Sequence, residues 1–301
     1  VDQKFYLRDH LWNIGVRLNI NRDNYKVPPA LYAFGQPNQD SPVLVTGNYK
    51  LTFDYLRKYL KKDYWVLVVD TDGINVWCAA GKGRFGTAEI IRMLQATHLP
   101  VDHKTIILPQ LGAPGVQSHL ISQVTGRKVI YGPVRIQDMD RFIDQGIDED
   151  MRQVTFGMVD RMKVSPLEFV SSLKWLMGLG ILSLIGWMSI HEWLLFLTAS
   201  LLGNLIFPIL LPYLPFRAFY RKGLVLSLPL LIFYEGSPWS AGLLILAMAY
   251  TGYRAMNFTG STTFTSLSGV KKEMDKAVPQ LLGLALVGIV LILISLIGGL
   301  I

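Results

Sequence analysis

PVLVTGNYKLTFDYLRKYLKKDYWVLVVDTDG, residues 42–73, decides the reading of the first half of the chain. VLV is a short apolar run that stops at Thr-Gly-Asn. FDYLRKYLKK then repeats apolar residues at helical spacing. YWVLVV is a second apolar run, closed by Asp-Thr-Asp-Gly. Continuous apolar strands separated by a helix predict a parallel sheet covered on both faces. The alternation continues downstream. TAEIIRMLQATHL predicts a helix with Thr87 at its N-cap. HKTIILPQLGAPG predicts a strand running into a Pro/Gly loop, SHLISQVTG a helix and RKVIYGPVR another strand. The fold class expected is an α/β, Rossmann-like domain.

Folds of this kind bind ligands outside the carboxyl ends of their strands. Here those ends are residues 46–52, 70–83, 109–115 and 131–135, all rich in Gly, Thr, Asn and Pro. Such residues let backbone approach a ligand closely, and ordinary turns need them too. No GxGxxG fingerprint and no GxxxxGK[ST] loop occurs in the chain, so a dinucleotide or P-loop nucleotide site is not indicated.

The second half is different. Of 301 residues 51% are hydrophobic and 17% charged, and the long apolar runs lie almost wholly beyond Ser165-Pro166. The expected division is a soluble domain over 1–165, with its core at 42–145, and a membrane domain over 166–301. A crossing takes about 20 apolar residues. Five segments qualify: 172–190, 193–214, 218–234, 238–256 and 279–301, the third interrupted by Pro229. An all-α, five-helix transmembrane domain is therefore expected.

The formal net charge is +7. Neither a nucleic-acid motif nor a dense basic patch occurs in the soluble half, so no nucleic-acid partner is expected. The basic residues instead group between apolar segments: Arg161, Lys163 and Lys174, then Arg217, Arg221 and Lys222, then Arg254, Lys271, Lys272 and Lys276. Five crossings put all of them on one side, and the positive-inside rule makes that side cytoplasmic. The expectation is a multi-pass inner-membrane protein in contact with membrane lipid, its soluble domain inside and its C-terminus outside. Residues 1–40 hold no signal-peptide apolar core. No ionisable pair is expected near the middle of a span, so the membrane half reads as an anchor or assembly surface. FTGSTTFTSLSGVKKEM, 258–274, reads as a juxtamembrane linker rather than a docking site.

NVWCAAGKG, 75–83, contains the only cysteine. One thiol forms no internal disulfide and cannot hold an iron–sulfur cluster, which takes about four. A lone cysteine is commonly an inert core residue, so its neighbours must say otherwise. The histidines at 10, 98, 103, 119 and 191 are scattered, and DxHxxG is absent.

VLVTGNYKLTFDYL, YWVLVVDTDGINVW, KTIILPQLGAPG and KVIYGPVR together resemble the corrinoid-binding domain of the corrinoid iron–sulfur protein large subunit, over about residues 42–145. NVWCAAGKG, followed by a multi-span membrane domain, resembles the related mercury-methylating corrinoid proteins, the HgcA family. The resemblance implies a base-off cobalamin or related corrinoid, with Cys78 on a cap helix as lower axial ligand to cobalt. It also implies, together with the strand-end rule, cofactor contacts from Thr46, Gly47, Asn48, Thr52, Asp70, Gly73, Asn75, Val76, Trp77, Cys78, Ala79, Ala80, Gly81, Lys82, Leu108, Pro109, Gln110, Leu111, Gly112, Ala113, Pro114, Gly132, Pro133 and Val134.

A thiolate suits a late transition metal. Set opposite a cobalt-bound methyl group, it pushes electron density toward release of that group as a carbanion or radical equivalent, which Hg(II) requires. The implied activity is a corrinoid-dependent methyltransferase that makes methylmercury in anaerobic cells. Its implied partners are a dicluster [4Fe-4S] ferredoxin-like reductant and a methyl donor from folate one-carbon chemistry. Two alternatives stay open: a membrane-tethered corrinoid methyl carrier feeding acetyl-CoA synthesis, and a non-catalytic membrane metal-binding protein.

Overall fold

The computed structural model describes residues 1–97, 105–263 and 265–298, without the side chain of residue 23. The chain divides into two compact units, one of residues 1–16 and 20–154, the other of 17–19 and 155–301.

The first unit is a five-stranded sheet. Its strands are β1 (Ala30–Phe34), β2 (Val43–Gly47), β3 (Tyr64–Val69), β4 (Thr105–Leu108) and β5 (Lys128–Tyr131), in the order β1-β3-β2-β4-β5. Strands β2 to β5 run parallel, and β1 is an antiparallel edge paired with β3. The helices are α1 (Leu7–Arg17), α2 (Lys50–Tyr59), α3 (Val76–Gly81), α4 (Thr87–Ala96), α5 (Ser118–Thr125), α6 (Met139–Gln145) and α7 (Glu149–Arg152). The apolar runs are buried on both faces, as a parallel sheet requires. Val43, Val45, Leu67, Val69, Ile106 and Leu108 pack under α3, α4 and α5. Leu44, Val66, Val68 and Ile107 pack under α2 and α6.

Two local expectations change. Thr87 is the first residue of α4 and Gly86 its N-cap; the Thr87 hydroxyl instead accepts from Gln117 N at 2.8 Å. The Pro/Gly loop after β4 is wound into a 3₁₀ segment, Gln110–Gly115.

The second unit is helical: α8 (Met158–Leu184), α9 (Ile190–Leu201), α10 (Phe207–Leu210), α11 (Phe219–Leu226), α12 (Pro238–Asn257) and α13 (Leu267–Gly298). Among the described residues three helices are long and apolar enough to cross a membrane: α8, the continuous run 190–210, and α13. Five such helices are not present. The segment expected at 218–234 breaks into α11, of eight residues, and a 3₁₀ stretch Leu228–Phe233 opened by Pro229. Eight helical residues rise about 12 Å, against about 30 Å of hydrocarbon. Helix α12 has 20 residues, ten of them buried, including Ser240, Thr251 and Arg254. It is a core helix of this unit and less apolar than the other three.

The helical unit contains a largely buried ion pair, away from the middle of any expected span. Arg254 on α12 pairs with Glu168 on α8 at 3.0 Å and donates to Asn204 Oδ1 at 2.6 Å. Asn204 lies in a π-helical turn, Leu202–Ile206, between α9 and α10, and donates to Ser172 Oγ and Ser200 Oγ. Ser261 Oγ donates to Glu168 Oε1 at 2.9 Å. Every partner is internal, so the group fastens α8, the π turn and α12 together. The Ser/Thr-rich stretch expected as a linker is folded into the same structure. Phe258, Thr259 and Thr262 are buried, and Thr259 Oγ1 bonds back to Met256 O. Phe264 and residues 299–301 lie outside the described residues.

Candidate functional site

Among the parallel strands, β2 is first in sequence and lies between β3 and β4. The chain leaves it toward one neighbour and later returns on its other side. That reversal opens a crevice at the carboxyl ends of β2 and β4, where open α/β sheets take ligands. Thr46 and Gly47 close β2, Leu108 closes β4, and Gly132, Pro133 and Val134 follow β5. Thr52 is half-buried on α2.

The loop after β3 is held by one side chain. Asn48 is 3% exposed. Its Oδ1 accepts from Thr71 N at 3.0 Å and Gly73 N at 2.8 Å, and its Nδ2 donates to Asp70 Oδ1 at 2.9 Å. The fully buried Thr71 hydroxyl accepts from Asn48 N at 3.2 Å and donates to Ile74 O at 2.8 Å. Asp72 and Gly73 both take left-handed backbone, φ 59° and 72°, which the β-carbon of other residues disfavours. Lys26 Nζ reaches Asp72 at 2.9 Å, and Arg84 also pairs with it. These two cations, Lys26 first, hold the exposed Asp72 carboxyl below its ordinary range. Nearby, Arg92 holds Glu89 low while Glu89 Oε1 accepts from Asp70 N.

This braced loop delivers α3. Asn75 is its N-cap, with Oδ1 accepting from Cys78 N at 2.9 Å. The cap fixes the backbone of the cysteine itself. Val76, Ala79 and Ala80 turn inward and are buried, whereas Trp77 and Cys78 are half-buried and Gly81 and Lys82 exposed. Cys78 is a free thiol. The 110–115 segment packs on the inner side of α3, and its Gln110, Leu111 and Ala113 stay half-buried beside Pro109, with Pro114 exposed.

The glycines expected to open a cofactor slot have neighbours of their own. A β-carbon on Gly112 would stand 2.6 Å from Phe85 Cε1 and 3.1 Å from Val76 Cγ1. One on Gly47 would meet Thr71 Oγ1 at 2.7 Å, and one on Gly132 would meet Ile107 Cγ2 at 2.9 Å. The space at these positions is filled by protein, so they set the packing of α3 and the strand ends.

The structure thus brings Asn48, Asp70, Gly73, Asn75 and Cys78 into one connected array of loop and helix, with 110–115 beneath. Lys26, Thr71, Arg84 and Phe85 belong to it and were not foreseen. Their only sequence signal is in retrospect: the acidic DTDG turn needs cations, and Phe85 is a lone aromatic between two glycines. Histidine contributes nothing here. His10 and His119 are exposed, His191 pairs with Glu235 in the helical unit, and His98 and His103 lie outside the described residues. No group of three or more His, Cys, Asp or Glu poised for a metal occurs among the described residues.

Residues 13–143 match the family described as CO dehydrogenase/acetyl-CoA synthase delta subunit. The Moorella thermoacetica corrinoid/iron-sulfur protein large subunit is 34% identical over 113 residues, 36% of this chain and 25% of that protein. The first unit is thus similar to part of a protein named as a corrinoid protein. It is also similar to the acetyl-CoA decarbonylase/synthase complex subunit gamma of Methanopyrus kandleri, 29% identical over 129 residues, 41% of this chain and 28% of that protein. The Methanocaldococcus jannaschii subunit gamma is 36% identical over 92 residues, 29% and 19% of the two chains. The chain therefore spans about a quarter of the length of these relatives, and the match lies in the unit that carries Cys78.

Proposed function

We propose that the soluble unit binds a corrinoid at the carboxyl ends of its strands, with Cys78 as lower axial ligand. On this reading the whole chain is a membrane-tethered corrinoid methyltransferase whose methyl acceptor is Hg(II). The observation that carries it is the placement of the chain's sole thiol. It sits half-exposed on a capped turn of helix, at the edge of the sheet where such folds take ligands. Likeness to a protein named as a corrinoid protein supports the cofactor class.

The residues present suit the group. A half-exposed thiolate is a soft donor that a cobalt ion accepts, and the outward side of α3 leaves it approachable. The corrinoid supplies, when bound, a metal that takes up and gives up a methyl group. Asn75 sets the direction of the Cys78 backbone, and Asn48 keeps the loop before it from yielding. Trp77, beside the thiol, offers an apolar wall. Because side chains fill the space over Gly47, Gly112 and Gly132, contacts from those positions are made by backbone. Reduction between turnovers falls to a dicluster ferredoxin-like partner, and the methyl group comes from folate one-carbon chemistry. In this reading the soluble unit faces the cytoplasm from a multi-pass inner-membrane anchor.

The names of the relatives favour a second reading, a tethered methyl carrier serving acetyl-CoA synthesis. One purified full-length protein separates the two. Loaded with cobalamin, the parent should show a visible spectrum that Cys78→Ala shifts without releasing the corrinoid, and methylmercury formation should collapse in the variant. A spectrum unchanged by Cys78→Ala would refute the ligand. A shifted spectrum with methyl transfer to an acetyl-CoA synthase, and none to Hg(II), would favour the carrier.

A further inference from the structure

Helix α1 is built inside out for a helix on a soluble unit. Its inward side is polar and tied down. Asp9 is 9% exposed and pairs with Arg57 of α2. Asn13, one turn on, accepts from Tyr25 Oη at 3.2 Å, and Val16, buried, completes that side. Arg57 also donates to the carbonyls of Asp2 and Lys4, at 2.8 and 2.7 Å, so the segment leading into α1 is fixed as well. The outward side is apolar. Leu7, Leu11 and Ile14 recur at i, i+4 and i+7, one stripe of a helix, and are 75%, 60% and 54% exposed. Trp12 lies off this stripe, toward the inward side, where its ring stacks on Tyr25, and Ile20, just past the helix, is exposed.

The flanks are cationic. At 100° per residue Arg8 falls on one border of the stripe and His10 on the other, both exposed. Lys4 precedes the helix and Arg22 follows it. An exposed apolar stripe flanked by cationic side chains is the pattern of a helix lying in a lipid–water interface, the long cations reaching up to the headgroups. The same chain carries three helices able to cross a membrane. A bilayer is therefore tethered to this unit at high effective concentration, and weak interfacial affinity suffices.

We propose that the outward face of α1 docks on an anionic lipid bilayer. This goes beyond the anchor: the contact is made by the soluble unit itself.

The test uses the full chain in a Cys78→Ser background, which removes the only native thiol. Leu11→Cys, Ile14→Cys and, as a control, the exposed Lys128→Cys are spin-labelled and reconstituted into phosphatidylcholine vesicles containing phosphatidylglycerol. Leu11 and Ile14 are already exposed, so neither substitution empties a packed site. Collisions with lipid-soluble oxygen and with a water-soluble nickel chelate are then compared. At positions 11 and 14 oxygen should dominate by several-fold, with the ratio reversed at 128. Equal nickel access at all three positions would overturn the proposal. So would shielding of 11 and 14 from both reagents, which would mean that a protein covers this face.

Discussion

Asn48→Ala tests whether the loop that presents the thiol depends on one amide. The substitution removes the acceptor of Thr71 N and Gly73 N and the donor to Asp70. Thr71 is fully buried, so its N–H finds no water in exchange; Gly73 is half-exposed and recovers part of its loss. A buried group left unbonded costs about 1–3 kcal/mol. The two amides and the lost donor together come to about 2–4 kcal/mol. At 1.4 kcal/mol per tenfold, local opening of the loop should rise by about 30-fold to several hundred-fold. Hydrogen exchange of the full chain in detergent reads this directly. The peptide covering 70–81 should exchange faster by that factor, and one covering β2 should change little. Asn48→Asp separates hydrogen bonding from charge. It keeps the acceptor but sets a carboxylate against that of Asp70, whose oxygen lies 2.9 Å from the present amide nitrogen. Repulsion raises the pKa of that carboxylate pair, so the variant should approach the parent as pH falls and one of the two takes up a proton. Unchanged exchange over 70–81 in Asn48→Ala would refute the reasoning, because the loop would then be held by its own backbone.

Gly112→Ala should lower stability by about 1–3 kcal/mol through overpacking against the fully buried Phe85, and Phe85→Leu should relieve it; denaturant melts of the single and double variants measure both. Arg254→Met leaves the partly exposed Glu168 carboxylate without its cation and should cost less than the about 3–5 kcal/mol of a fully buried pair, read as a lower melting temperature in detergent, whereas Glu168→Gln, which keeps an acceptor for Arg254, should cost less still. The folded-state pKa of Asp72 is depressed, so its contribution is complete above the ordinary aspartate value of about 3.9 and is lost as pH falls through the lower folded value. Exchange of the 70–84 segment should accelerate over that acidic window in the parent, and Asp72→Asn should abolish the pH dependence.

In the soluble unit the parts written as long apolar runs were legible. β3 and β4 are buried on both faces, which leaves no doubt of period or register. β1 was not legible, because ALYAF is short, half-buried and antiparallel, and nothing local distinguishes it from a loop. The strand-end loops and the one thiol that the proposed site uses were legible, since strand ends and a lone cysteine can be read residue by residue. Its bracing was not. Lys26 meets Asp72 across 46 positions of sequence, and the bridge between Lys26 and Tyr49 helps bring that segment to the strand ends. Glycine is ambiguous for a related reason. Gly47, Gly112 and Gly132 read as space for a ligand, yet close packing of the protein's own atoms asks for the same residue.

Charge counting in the helical unit illustrates the same gap between a residue's type and its surroundings. Arg161 and Arg254 were counted as cytoplasmic loop charges, but both are buried. Arg161 donates to Pro208 O and Phe156 O, and Arg254 is ion-paired. Neither samples a membrane surface, so neither weighs on topology. Lys271, Lys272 and Lys276 remain exposed and keep their weight. Ser227, fully buried at the break between α11 and the 3₁₀ stretch, has its hydroxyl bonded back to Leu224 O, which satisfies one of the polar groups that the interruption would otherwise leave open.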